Sequence, residues 1–403
     1  MKTLKALVQM NSAVLPTSVK NHLTIFIVAN FILLTCLIGT PVFAAPRTVT
    51  NDFFGTGKTN YLSLDFSGDQ IRWDILQNPA TSPTQTRRVY FGLPDDQIVF
   101  GDWDGDLKSD VGVWREGTAE NPQSYFYIQP SSNPTTFIGQ PWGTIGDFSN
   151  SGDFDGDGKD DFTVTRREEG QLVWYILPSG GGNFRRIVWG LADDFEGVAN
   201  EDFNGDGRAD LLVFRINPEN GDSTVFVGDA QTGALILAQQ WGNENLAGGF
   251  YLFGDYVGDS RADLVVNYGV CHTPDCGVEG QWWIKETGSS NYTITHWGIP
   301  FDFETGDGDF PNFGDYDGDK KADISVFRPT ESTNYTILSS NGQFLFQYWD
   351  GSETLPPTGS ANQFENALER KTRRISAAAL RGYFVHRQEN GTYAVKRAAD
   401  FYK

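Results

Sequence analysis

The stretch Gly152–Arg166 reads GDFDGDGKDDFTVTR, and it is one copy of a unit written six times. GDWDGDLKSDVGVWR starts at Gly101, EDFNGDGRADLLVFR at Glu201, GDYVGDSRADLVVNY at Gly254 and GDYDGDKKADISVFR at Gly314. A worn copy, NDFFGTGKTNYLSLD, starts at Asn51. The loop-opening aspartates are Asp52, Asp102, Asp153, Asp202, Asp255 and Asp315, so the period is about fifty residues, stretching to about sixty before the last copy. A unit of this length cannot bury its own apolar faces. It must stack on its neighbours, which restricts the chain to a repeat architecture.

Each copy continues in the same way. The acidic loop leads into an alternating run such as DFTVTR or DISVFR, and an aromatic-rich run follows: IRWDI, YFYI, LVWYI, TVFV, QWWI and NYTI. A third run closes on Phe91, Trp142, Trp189, Trp241 or Trp297 before a glycine, and on Trp349 before Asp350 in the last unit. A short stretch then leads into the next loop. Period-two alternation broken by Gly, Asp and Asn reads as strands and turns. About four strands per unit match one blade of a propeller. The expected fold is all-β: a β-propeller of six four-stranded blades, or seven if the tail adds one. The last unit stops near Trp349 without its fourth strand. RTVTND, at the start of the repeat region, has the pattern of that strand, and its pairing with the last blade would close the ring.

Counted from Asp153, aspartates fall at positions one, three, five and nine: Asp153, Asp155, Asp157 and Asp161. Gly156 and Gly158 permit a tight curl where a side chain would clash. Carboxylates this close repel one another unless a cation sits between them. Lys159, at position seven, is expected to offer its main-chain carbonyl and to point its side chain outward. Such oxygen donors suit a hard cation with about six to eight ligands, Ca²⁺ before the smaller and stricter Mg²⁺. No soft donor calls for zinc or copper. The same places are held by Asp102, Asp104, Asp106, Lys108 and Asp110, and by Asp315, Asp317, Asp319, Lys321 and Asp323. Asp202, Asn204, Asp206, Arg208 and Asp210 form a near-equivalent set, with an amide oxygen at position three. Asp255, Asp259, Arg261 and Asp263 lack that ligand because Val257 occupies the place, so this site is expected to be weak or completed by water. Phe54, Thr56 and Asn60 leave the first copy without a site. About four to five Ca²⁺ are expected, offsetting roughly eight to ten of the formal negative charges. Without them the loops should repel and loosen the blades. An EF-hand shares the spacing, but a strand follows here and no Glu stands at position twelve. One such loop could be an acidic turn that binds nothing; four intact copies at matching offsets argue against that.

The unit D-x-D-G-D-x-x-x-D ahead of a β-strand, with Phe100-Gly101, Phe253-Gly254 and Phe313-Gly314 before it, resembles the FG-GAP/VCBS repeat family. That family is known from integrin α-chain propellers and many exported bacterial proteins. V-F-R after the loop and W-G at the end of the unit are similar to the bacterial VCBS-repeat proteins. The resemblance covers roughly Arg47 to Trp349. It implies a calcium-stabilised β-propeller, exported and often engaged in adhesion or glycan binding. Integrin-type propellers are seven-bladed, and six repeats depart from that. No single activity is implied, because propellers carry many functions.

The ends differ from the repeats. The first forty-odd residues carry Lys2, Lys5 and Lys20 and no acid, then the apolar run Leu23–Gly39 and PVFAAP. Val42 and Ala44 are placed like the small residues before a signal-peptidase cut, so residues 1–44 read as a secretory signal. An uncleaved membrane anchor is the alternative. A lipoprotein cut before Cys36 is weaker, because Thr35 is a poor residue there. Cys271 and Cys276, in CHTPDC, could close a small disulfide after export, or stay as free thiols. The propeller is expected over 45–352 and a basic tail over 353–403. From Ser360 onward the tail holds nine Lys or Arg against four Asp or Glu, and ENALERKTRRISAAALRGYF could be a helix. Opposite charge makes it a candidate to dock on the acidic body, although charge runs are usually just solvated.

Two motifs are decoys. GTGKT at Gly55–Thr59 has the letters of a phosphate-binding loop, but Asp52 stands where its first glycine belongs. LPPTG at Leu355–Gly359 lacks the apolar span that a sortase signal needs after it. Trp73, Trp174, Trp282 and Trp283 could stack on sugars, but their place in the strands favours filling the space between blades. Arg115, Arg166, Arg215 and Arg328 recur at one place in the unit, which argues for a structural pairing with an acidic neighbour.

A net charge of -21 excludes nucleic acid as a partner. His272, His296 and His386 are scattered, and neither G-x-S-x-G nor H-E-x-x-H occurs. The chain is read as a non-enzyme: a monomeric exported binding or adhesion module for a glycan or cell-surface protein, secreted, periplasmic or held at the surface, with no membrane span once mature. A secreted polysaccharide lyase or hydrolase with paired carboxylates from different blades is the second reading. A structural envelope protein is the third.

Overall fold

From the second onward, each acidic loop is the turn of a β-hairpin. The strand that enters the loop pairs antiparallel with the strand that leaves it, and the next two runs extend the same sheet. The computed structural model describes residues 51–77, 86–196, 201–243, 249–268, 280–300 and 308–348, together with three strands of the tail. The expected signal over 1–44, the CHTPDC loop and LPPTG lie outside the described residues.

The first blade holds β1 (Tyr61–Asp65), β2 (Arg72–Leu76) and β3 (Thr86–Tyr90). The second holds β4 (Gln97–Gly101), β5 (Asp110–Arg115), β6 (Gln123–Gln129) and β7 (Ile138–Thr144), and the third β8 (Phe148–Gly152), β9 (Asp161–Glu168), β10 (Gln171–Leu177) and β11 (Arg185–Leu191). The fourth holds β12 (Phe195–Glu196), β13 (Leu211–Ile216), β14 (Asp222–Gly228) and β15 (Leu235–Asn243). β16 (Gly249–Gly254), β17 (Asp263–Tyr268), β18 (Gln281–Lys285) and β19 (Tyr292–His296) form the fifth, and β20 (Phe310–Gly314), β21 (Asp323–Arg328), β22 (Thr333–Ile337) and β23 (Phe344–Tyr348) the sixth. The tail adds β24 (Arg374–Ser376), β25 (Tyr383–Arg387) and β26 (Tyr393–Arg397). Among the described residues the fold is all-β, a six-bladed propeller without helices.

Each blade is buried on both faces, which is why its central runs are so apolar. In β9, Phe162 and Val164 pack on Trp103, Trp114 and Phe126 of the second blade. Trp174 and Ile176 of the same sheet pack with Leu211 and Val213 of the fourth. Trp73, Trp114, Trp174 and Trp282 are fully buried. Their ring N–H groups donate to the carbonyls of Phe91, Trp142, Trp189 and Trp297, the residues that close each unit. Trp142 and Trp297 then donate across the seam to Tyr175 and Tyr335 of the next blade. The tryptophans expected in the core are there, apart from Trp283, which is half-buried and stacks on Tyr292.

The acidic loops are joined to one another. The N–H at position eight of each loop donates to the carbonyl at position one of the loop before it. The bonds are Ser109 to Asp52 (2.9 Å), Asp160 to Asp102 (2.8 Å), Ala209 to Asp153 (2.7 Å), Ala262 to Asp202 (2.8 Å) and Ala322 to Asp255 (2.6 Å). Thr59 to Asp315, at 2.6 Å, closes the circle between the first and last blades. Tyr61 stacks on Tyr316 at the same seam, with ring centroids 4.6 Å apart.

Two expectations are corrected. The last blade is complete, and the blade that lacks a sequence-local strand is the first. Because each loop sits inside a blade, the missing strand is the one that should precede the first loop. Residues 47–50 of the expected closing strand lie outside the described residues. β24 of the tail pairs with β1 instead, matching Ser63 with Ser376 and Asp65 with Arg374. The tail also forms strands where a helix was expected: β24 falls within ENALERKTRRISAAALRGYF, β25 starts at its last two residues, and β25 extends the fifth blade beside β16. Free main-chain edges on β1 and β16 offer pairing that overrides a weak helical preference. Deleting residues 370–403 should therefore lower the thermal unfolding midpoint; an unchanged midpoint would show that the tail does not brace the ring.

Candidate metal centres

The turn is made by two of its aspartates. The position-one carboxylate accepts main-chain N–H groups with both oxygens: Asp153 Oδ1 from Gly156 at 2.6 Å and Oδ2 from Gly158 at 2.9 Å. Asp102, Asp202, Asp255 and Asp315 repeat this. The position-nine carboxylate reaches back to the N–H at position two, as Asp161 to Phe154 at 3.1 Å and Asp110 to Trp103 at 2.8 Å. The glycine at position four adopts a left-handed backbone, φ 83° at Gly156. A Cβ there would lie 3.0 Å from the Arg208 stem of the next loop.

That contact is repeated at every seam. Lys108 lies over Gly55, Lys159 over Gly105, Arg261 over Gly205, Lys321 over Gly258 and Lys58 over Gly318. The position-seven side chains therefore do not simply point outward, as expected, but cover the preceding loop. Their aliphatic stems lie against a surface that only glycine leaves open. Lys58 and Thr59 of the GTGKT decoy take part in the same contacts.

Three carboxylate triads converge: Asp102, Asp104 and Asp110; Asp153, Asp155 and Asp161; Asp315, Asp317 and Asp323. Within each, one oxygen per residue lies within 4.8 Å of the others, with positions one and nine buried. In the fourth loop the Asn204 amide stands by Asp210 and Asp206. In the fifth, the Val257 N–H bonds to Asp263, and its apolar side chain replaces the third ligand. The position-five residues Asp106, Asp157 and Asp319 are not part of these triads. Each instead accepts the N–H of position seven, Lys108 at 3.0 Å, Lys159 at 2.9 Å and Lys321 at 2.8 Å. Asp206 and Asp259 do the same toward Arg208 and Arg261, and are ion-paired with them.

The first loop separates the needs of the turn from those of a ligand set. It makes the same curl with Asp52 accepting from Thr56 and Gly57, and Asn60 accepting from Phe53 at 2.7 Å. Phe54 and Thr56 stand at positions three and five, so the turn needs no acid there. The extra carboxylates of the intact loops add repulsion that the fold does not require. Their oxygen-only donor set fits a hard divalent cation.

Two features were not visible in the sequence reading. The turn after the aromatic strand folds over the triad: Ser131 donates its N–H to Asp110 at 2.6 Å, and Ser132 its hydroxyl to Asp104. Ser339 and Ser340 do the same to Asp323 and Asp317. The recurring Ser-Ser pairs in QPSSN and LSSN were the available signal. The recurrent arginines find their acids: Arg115 pairs with Asp96, Arg166 with Asp147, Arg215 with Asp194 and Arg328 with Asp309. Each of these aspartates also caps a turn, as Asp147 does with the Thr144 N–H at 2.8 Å. The arginine latches are thus structural.

Residues 153–213, the third loop through the fourth, match the family model of the FG-GAP-like repeat. The chain thus carries an FG-GAP-like repeat over these residues. No curated protein matches its sequence. The matched segment spans one whole blade-to-blade step, including two acidic loops and the Ala209–Asp153 bond between them.

Burial is the main cause that pushes the position-nine carboxyls up, with neighbouring carboxylates adding to it. Asp110 and Asp161 rise to about 8, Asp210 to about 7, and Asp263 and Asp323 to about 6. Hydrogen bonds from the turn N–H groups pull the other way. A carboxyl raised in the fold holds a proton that the unfolded chain releases near pH 4. Without a cation, stability should therefore fall as pH rises from about 4 to about 8. A divalent cation should restore it most at the alkaline end. Unfolding midpoints at pH 5 and pH 8, in chelator and in cation, check this; a cation-free midpoint that does not fall with pH would refute it. Gly156→Ala, which forces a side chain into the left-handed region and against Arg208, should cost about 1–2 kcal/mol by denaturant unfolding.

Proposed function

We propose that this chain is an exported binding module, a propeller braced by Ca²⁺ in its acidic loops, with a glycan as its ligand. The observation that carries the calcium reading is the contrast between the first loop and the intact ones. The same turn forms without acids at positions three and five, yet three loops add carboxylates that converge on one point. Asp153, Asp155 and Asp161 would hold the ion in the third loop, and the corresponding residues in the second and sixth. Asp202, Asn204 and Asp210 would hold it in the fourth, and Asp255 and Asp263 more weakly in the fifth. The ion supplies charge neutralisation and cross-linking of the loop, with no chemistry of its own.

The glycan reading is supported by the rim. Five residues before the closing aromatic of their units stand Phe137, Phe184, Tyr292 and Phe344, and six before it stands Leu235, all more than half exposed. Phe344 stacks on Trp297 with centroids 5.0 Å apart, and Phe346 lies beside it with its ring inclined by 17°. Flat exposed rings of this kind offer apolar faces to the C–H groups of a pyranose. Export accords with the composition of the leader and with the family. Among the described residues no helix is long and apolar enough to cross a membrane.

Chelation should lower the unfolding midpoint by several degrees, restored by calcium and not by magnesium; no change would sink the calcium reading. Screening a polysaccharide panel in calcium should show retention without new reducing or unsaturated ends, weakened about tenfold by Phe344→Ala. Release of such ends would make the chain an enzyme instead.

A further inference from the structure

We propose that the acidic loops load their cations cooperatively, as one ring rather than as separate sites. This rests on the calcium reading above and deepens it. Position one of each intact loop has two duties. Its carboxylate belongs to the ligand set of its own loop, and its carbonyl accepts the position-eight N–H of the next loop. Position eight is bonded directly to position nine, the buried ligand of that next loop. Asp153 thus stands in the triad of the third loop while its carbonyl holds Ala209, next to Asp210. Asp102 stands in the triad of the second loop and holds Asp160, next to Asp161. That link is doubled, because the Asp160 carboxylate accepts the Asp102 N–H at 2.6 Å. The stem of each position-seven residue lies over the preceding glycine and couples the same two loops a second time.

An ion that fixes position one in one loop therefore fixes the main chain beside a ligand of the next. The second ion finds its site already ordered and meets a smaller entropic cost, which is positive coupling. Direct Coulomb coupling has the opposite sign, because each bound ion makes its surroundings less negative. The first loop fits as a hard-wired link. It carries no ligand set, yet it is ordered by its own side chains and passes the bond from Asp315 through Thr59 and on from Asp52 to Ser109. The ring is thus continuous through the blade that binds nothing.

Native mass spectrometry of the full chain, titrated with calcium alone, reads the loaded states directly. Coupled loops give mainly empty and fully loaded molecules, with intermediates depleted below a statistical ladder. The depletion should persist in 1 M ammonium acetate, where the screening length falls to about 3 Å. Asp155→Ala removes a ligand of the third loop and none of the belt bonds. It should lose one ion and also weaken the remaining sites by about fivefold, the lower end of ordinary coupling. A statistical ladder, or one fewer ion with the other affinities unchanged, overturns the coupling and leaves the calcium reading standing. Depletion only at low salt also overturns it, because order-based coupling does not depend on screening. No bound calcium at all overturns both. The wild-type ladder decides the question even if the variant does not fold.

Discussion

The hydrogen bond from position eight of one acidic loop to position one of the loop before it is the contact on which the architecture turns. A propeller blade is a twisted sheet with little to fix its angle to the next one beyond packed side chains. Here six main-chain bonds set that angle from the loop side, and the last of them, Thr59 to Asp315, joins chain segments far apart in sequence. Main-chain bonds have fixed geometry, so the six blades are held at one pitch whatever side chains fill each seam. The seams do differ. Phe203 and Phe253 meet edge to face at the fourth, while Tyr61 and Tyr316 stack at the closing one.

The loops can supply those bonds only while they are curled. Curling needs a position-one carboxylate to gather N–H groups and a glycine at position four to let the chain turn left-handed. It also crowds acids in a partly buried place, and it is burial, with the neighbouring carboxylates adding to it, that raises the position-nine carboxyls. The carboxylates at positions one and nine that make the turn are also the ones that meet the added position-three carboxylate, and a divalent cation would relieve that repulsion. The rim is free of that constraint. Its outer strands carry exposed rings that lie against the closing tryptophans of the preceding blades, as Phe184 does on Trp142 and Phe344 on Trp297.

Much of this was legible in the residues. The repeated spacing of Asp153, Asp155 and Asp161 gave both the blade count and the triads, because a fixed offset within a curled turn fixes which side chains meet. Period-two alternation gave the strands. The recurrence of Arg115, Arg166, Arg215 and Arg328 announced a structural pairing, but not with which acid. Asp96, Asp147 and Asp309 stand 19 residues before their arginines and Asp194 stands 21 before, a recurrence that was available in the sequence but not separated from the many other acids. Position five has the spacing of a ligand and accepts the N–H two residues on, as position three of the triads also does.

The sequence by itself determined the unit, its number and its local geometry, since a loop of alternating aspartates and glycines can curl in few ways. Only the tertiary structure decided which strand belongs to which blade, that β24 of the tail lies against β1, and that the position-seven side chains cover the glycines of their neighbours. The physical reason is range. Turn and strand preferences act between residues a few positions apart, whereas edge pairing and seam contacts join residues a whole blade or more apart, and no local pattern records which partner they find.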